Sequence, residues 1–94
     1  MRVTSVDIQS RYFGVLREIT GLGEETLTLR ENSRLIDLIN HLTETHGTEF
    51  RLQVNHRDSY VILINGQHHE ILGGEETILK TGDRVVFLPV TMGG

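Results

Sequence analysis

The 94-residue sequence contains no cysteine, a single proline (Pro89) and a single lysine (Lys80) against eight arginines. The missing cysteine rules out disulfides, zinc–thiolate sites and cysteine nucleophiles together. No apolar run approaches the roughly 18 residues of a membrane-spanning helix. The N-terminus lacks the basic stretch followed by an apolar region that marks a secretory signal, so a cytoplasmic location is expected. A formal net charge of −4 without a basic patch argues against a nucleic-acid partner, and no membrane partner is expected. The length suits one small domain with one modest core, spanning residues 1–94.

What is present is regular patterning. Val6 and Ile8 alternate with Asp7 and Gln9, and the alternation extends to Tyr12 as one long first strand. Leu16 and Ile19 have helical spacing in a short segment that Gly21 and Gly23 close. Residues 25–30 alternate again, with Leu27 and Leu29 inward, and are expected to pair antiparallel with the first strand. Asn32 and Ser33 offer N-cap oxygens to a helix in which Leu35, Leu38, Ile39 and Leu42 follow the i, i+3, i+4, i+7 pattern of a core-facing stripe. Gly47 is its stop. Residues 48–59 are polar and weakly patterned, a connection with room for a short strand or turn.

Tyr60-Val61-Ile62-Leu63-Ile64 is the most apolar run and suits a central strand buried on both faces. Asn65-Gly66 is a hairpin signal, because both residues accept positive φ. Residues 68–72 read as the return strand and Gly73-Gly74 as a loop. Gly82-Asp83 turns the chain into a last strand over residues 84–88, expected to be internal because an exposed apolar edge invites aggregation. The order predicts an α+β fold, a mixed sheet of four to five strands packed on one main helix.

The residues with chemistry are few. Five histidines offer no metal set: His41 and His46 fall off one helical face, and His68 and His69 are expected on opposite sides of a strand. Asp83 beside Gly82 reads as a turn residue. The glycine pairs lack the strand–glycine–helix setting of a phosphate loop. No cofactor and no metal are expected on the chain. The distinctive stretch is Pro89-Val90-Thr91-Met92-Gly93-Gly94, read as a flexible tail over residues 89–94. Two final residues without side chains let a terminal carboxylate thread into a narrow site. Such a carboxylate has a pKa of roughly 3.3–3.7 and is ionised at neutral pH, able to attack the α-phosphate of ATP. Six residues reach about 20 Å, enough to enter a deep pocket in a partner. Phe13 has two readings: core, or a member of a partner-facing patch with Phe87 and Leu88, since both strand faces beside the tail carry apolar residues.

Tyr12-Phe13-Gly14-Val15-Leu16-Arg17-Glu18, the Ile64-Asn65-Gly66 turn, Lys80-Thr81-Gly82-Asp83-Arg84-Val85 and the Pro-x-x-x-Gly-Gly end resemble the MoaD/ThiS family of ubiquitin-like sulfur carriers. The resemblance runs nearly end to end and is weakest over residues 48–59. It implies a β-grasp fold. It also implies that the Gly94 carboxylate is adenylated with ATP by a separate ubiquitin-activating-type enzyme and converted to a thiocarboxylate that donates sulfur, with Gly93 letting the tail thread. The protein is then a co-substrate rather than a free-standing enzyme. Its implied partners are that adenylating enzyme and, in the molybdopterin branch, a larger synthase subunit; Phe13, Phe87, Leu88, Pro89, Val90, Thr91 and Met92 are the residues expected to meet them. Where molybdopterin-branch members often read Pro-Pro-Val-x-Gly-Gly, this chain has one proline and places Met92 before the glycines, so thiamin and tRNA-thiolation branches stay open. A ubiquitin-like modifier joined to lysines through Gly94 shares the same activation step. With no cysteine, a persulfide cannot form on this chain, which leaves the thiocarboxylate as the carrier form.

Overall fold

The structure, a computed structural model, describes residues 4–55 and 60–90. The opening alternation forms β1 (Ser5–Tyr12), with Val6, Ile8, Ser10 and Tyr12 buried and Asp7, Gln9 and Arg11 on the other face. A short helix α1 (Val15–Thr20) buries Leu16 and ends at Gly21, whose φ of 74° is the left-handed conformation glycine favours at a helix end. β2 (Glu24–Arg30) returns antiparallel to β1, from Arg11↔Glu24 to Ser5↔Arg30. Then come α2 (Leu35–His46), α3 (Thr48–Asn55), β3 (Tyr60–Ile64), β4 (Gln67–His68), α4 (His69–Leu72), a 3-10 turn (Gly74–Glu76) and β5 (Arg84–Pro89).

The five strands form one sheet in the order β2-β1-β5-β3-β4. β5 lies in the middle, parallel to β1 and antiparallel to β3. This is the β-grasp arrangement, with an internal last strand as its apolar sequence requires. β3 is internal but one place off centre; Ile62 and Ile64 are buried, whereas Val61 and Leu63 are only half-buried. Leu35, Leu38, Ile39 and Leu42 of α2 are fully buried against the sheet, each contributing roughly 1.5–3 kcal/mol by leaving water.

Several elements differ from the sequence reading. The N-cap of α2 is Arg34, not Asn32 or Ser33. Asn32 takes a left-handed φ of 69°, and residues 33–35 are tied to residues 77–79: the Leu79 N–H donates to the Ser33 carbonyl (2.8 Å) and the Leu35 N–H to the Thr77 carbonyl (2.9 Å). With its backbone so engaged, Ser33 is not the cap; the Asp37 carboxylate instead accepts from the Arg34 N–H at 2.8 Å. Residues 48–55, read as a connection, are helix α3. It has one fully buried anchor, Phe50, while Leu52 is 62% exposed, so no periodic stripe marked it. The return strand stops after two residues, because the His68 imidazole accepts the Glu70 N–H (3.2 Å) and caps α4. His68 and His69 therefore do not point to opposite sides of a strand; their rings stack 5.1 Å apart. β5 runs one residue further than expected, with Pro89 paired to Tyr60.

The two turns at the far end of β5 lock together. Asn65 and Gly66 have φ of 52° and 85°. The Asn65 side chain donates to Asp83 (2.8 Å) and accepts the Arg84 N–H (2.9 Å), while Asp83 also accepts the Lys80 N–H (2.8 Å).

Phe87 belongs to the core. It is fully buried and packs with Tyr12 and Phe50 at ring-centroid distances of 5.9 and 5.4 Å. Its side chain thus lies outside the partner-facing patch in which it was expected, because the two-residue period of β5 sends it to the helix side. Phe87→Ala is expected to lower stability by about 3–5 kcal/mol, seen as a lower urea midpoint with an unchanged denaturant slope.

Candidate functional site

The same period that turns Val85 and Phe87 into the core turns Arg84, Val86 and Leu88 to the opposite face of the sheet. Register sets Leu88 beside Val61 and Val86 beside Leu63. These four side chains, each half-buried, make an apolar patch on the face away from α2. The β1–β2 half of that face is polar and internally bonded. Thr28 donates to Asp7 (2.8 Å), Gln9 to Glu24 (2.7 Å) and Arg84 to Gln9 (3.0 Å). Arg11, the strand partner of Val86, stands at the boundary. Its guanidinium lies 5.7 Å from the Phe13 ring centroid, within cation–π range.

The end of β5 is clamped from below. The Tyr60 hydroxyl accepts the Leu16 N–H (3.1 Å) and donates to the Phe13 carbonyl (3.3 Å), holding the turn from β1 into α1 beside Pro89. Gly14 sits in this turn at φ 63°, ψ −138°. A Cβ there would stand 3.3 Å from both the Pro89 ring and the Tyr60 hydroxyl. Glycine is required both by the backbone angle and by the space.

Under this root, three polar groups connect β1, β2 and α2. Tyr12 donates to Glu25 (2.5 Å), and His46 Nε2 meets the same carboxylate oxygen at 2.7 Å. Burial, reinforced by the bond to Glu25, pushes the Tyr12 phenol far above its ordinary value of 10.0.

The residues predicted from sequence are thus placed as follows. Leu88, Pro89 and Val90 follow one another along the chain exit, half-buried, exposed and half-buried, and Phe13 is half-buried beside Arg11. Phe87 is in the core. Thr91, Met92, Gly93 and Gly94 lie outside the described residues. Sequence reasoning did not identify Val61, Leu63 and Val86 as patch members, Arg11 as the residue at the patch boundary, or Gly14 and Tyr60 as the frame of the tail root. Alternation within β5 was a usable signal for Val86 with Leu88; nothing local linked them to Val61 or Arg11. Among the described residues, no helix is long and apolar enough to cross a membrane. The arrangement places the chain exit beside an apolar face.

A mixed sheet with parallel first and last strands in its interior and a helix across one face defines a ubiquitin-like β-grasp protein. The chain belongs to the ThiS family, whose model matches residues 10–94, a family of ubiquitin-like sulfur carriers and modifiers. No curated protein matches it. Among solved structures, small archaeal modifier protein 1 from Methanosarcina acetivorans is similar at 29% identity, covering 96% of this chain and 98% of that one, with a TM-score of 0.77. A putative molybdopterin converting factor subunit 1 from Pyrococcus furiosus is similar at 26% identity, 92% and 99% coverage and a TM-score of 0.77. The HVO 2177 protein of Haloferax volcanii shares the fold at 20% identity, with 100% and 92% coverage and a TM-score of 0.80.

Gly14→Ala is expected to cost about 1–3 kcal/mol through backbone strain and to speed amide exchange at Leu16 as the Tyr60 hydroxyl is displaced. Tyr12 gives a pH prediction of definite sign. Its folded value is raised above the unfolded 10.0, so its contribution to stability is complete below pH about 10 and is lost as pH rises beyond it. Tyr12→Phe should flatten that alkaline decline in a series of urea titrations.

Proposed function

We propose that this protein is a sulfur carrier whose Gly94 carboxylate is activated and converted to a thiocarboxylate, with molybdenum-cofactor biosynthesis as the receiving pathway. The carboxylate oxygen attacks the α-phosphate of ATP on a ubiquitin-activating-type enzyme, forming the acyl-adenylate and releasing pyrophosphate. Attack of sulfide-level sulfur (HS−) on the acyl carbon then breaks the bond to AMP, releases AMP and a proton, and leaves a thiocarboxylate on Gly94. The adenylating enzyme and a molybdopterin synthase large-subunit-like protein are the proposed partners, and a cytoplasmic location suits both. Gly93 and Gly94 thread the active sites, while Pro89, Val90, Thr91 and Met92 line the path to them. The docking contacts are Phe13 and Leu88 with the apolar patch.

The observation that carries this reading is the 26% identity, over 92% of the chain, to a putative molybdopterin converting factor subunit 1. The frame at the tail root supports it, since Gly14, Tyr60 and Pro89 aim the chain off the sheet at one fixed place. A second reading, a protein modifier joined to lysines through Gly94, is favoured by the 29% identity to small archaeal modifier protein 1. Both use the same adenylate.

Deleting Gly93 and Gly94 should leave the unfolding midpoint unchanged and abolish adenylation; a truncated protein that still accepts AMP defeats both readings. Intact-mass measurement of protein from its own cells separates them. A sulfur-for-oxygen mass gain confined to the C-terminus marks the carrier, whereas this chain's mass attached to lysines of other proteins marks the modifier.

A further inference from the structure

Arg11 is the anomaly of the open sheet face. Its Nε is sealed from solvent and has no hydrogen-bond partner among the described residues. Three other charged residues of that face are engaged within the chain: Arg84 bonds Gln9, Glu24 accepts from Gln9, and Asp7 accepts from Thr28. Glu24 is the cross-strand partner of Arg11, yet its side chain bonds Gln9, and no carboxylate among the described residues pairs with Arg11. An unsatisfied, desolvated donor on a cation is costly and calls for a physical account.

The surroundings supply that account. The Phe13 ring flanks the guanidinium, and Val86 is its neighbour on β5. The side chain is thereby held in place before any partner arrives. A planar guanidinium in a half-dry setting is suited to bidentate pairing with a carboxylate, and pre-ordering removes much of the entropy cost of forming the pair. The position is equally informative. Whatever grips the tail beyond Pro89 must cover Leu88, and from Leu88 the face continues without interruption to Val86, Phe13 and Arg11.

We propose that Arg11 is a specificity-determining residue of the docking face, and that the adenylating partner presents to it a carboxylate at the rim of an apolar surface. The inference rests on the adenylation reading above and adds the chemistry of the partner. Phe13 then acts as the support that keeps Arg11 in position, as well as contributing apolar area.

The test is ATP–pyrophosphate exchange catalysed by the adenylating enzyme of the same organism, with the concentration of full-length carrier varied. Arg11→Ala should raise KM for the carrier about 30-fold or more, as truncating one partner of a desolvated charge pair does, with kcat unchanged. Arg11→Glu should raise it further. Arg11→Lys should recover part of the loss, restoring charge without the planar fork. Arg11→Met keeps an apolar stem against Phe13 and Val86, so it should match Arg11→Ala if charge is what matters. Rescue by Met would show a packing role instead and overturn the proposal. The wild-type KM should rise with ionic strength, and more steeply than that of Arg11→Met. Equal KM and equal salt dependence for wild type and Arg11→Met would also overturn it. Those results leave the adenylation reading standing; absence of exchange with the wild-type protein overturns that reading and this inference together.

Discussion

Everything in this fold depends on the parallel pairing of β1 with β5, which joins residues about 75 positions apart in the chain (the Arg84–Gln9 side-chain bond spans that separation). Closing so long a loop is entropically unfavourable and is offset only once many contacts form together. The reward is that β5 enters as the middle strand and welds the β1–β2 pair to the β3–β4 pair. A slip of one residue would exchange the two faces of β5, placing Phe87 outside and Leu88 in the core. The turn network at the other end guards against this. The Gln9 N–H donates to the Asp83 carbonyl, and the Gly82 N–H to that of Asp7, so register is set before the first strand pair is reached.

The two ends of β5 therefore have different duties. At one end, Asp83 accepts from the Asn65 side chain and the Lys80 N–H, and Asn65 accepts the Arg84 N–H. At the other, Gly14 and Tyr60 hold Pro89 while the chain leaves the sheet. The sheet face between them is divided lengthwise, polar and self-satisfied over β1 and β2, apolar over β5 and β3. A partner approaching the apolar half displaces water from Val61, Leu63, Val86 and Leu88 without breaking bonds in the polar half. Arg11 stands on the dividing line.

On the helix side, the aromatic cluster of Tyr12, Phe50 and Phe87 explains why a polar chain segment became helical. α3 has little periodicity of its own, but Phe50 fills the space beside Phe87 and Tyr12 and fixes the helix there. Tyr12 brings a hydroxyl into this setting; Glu25 accepts its hydrogen bond and is itself held by His46. The end of α2 is thereby tied to both strands of the first pair, directly beneath the chain exit.

Most strands and α2 were legible from sequence because each carries a local signal: a period of two in β1 and β2, continuous apolar runs in β3 and β5, and a period near 3.6 in Leu35, Leu38, Ile39 and Leu42. The Asn65-Gly66 and Gly82-Asp83 turns were legible because their conformations demand those residue types. The motifs over residues 12–18, 64–66 and 80–85, in that order and closing on the Gly-Gly end, together revealed the family. Tertiary structure alone decided the rest. It made Arg34 the cap of α2 by engaging Ser33 with Leu79, and it turned residues 48–55 into a helix around one buried phenylalanine. It also sent Phe87 inward while assembling the patch from Val61, Leu63, Val86 and Leu88. Sequence determines what each segment can form, since that depends on neighbours a few residues away. Which side chains share a face, and which polar atoms are buried there, depends on partners brought together across the whole chain.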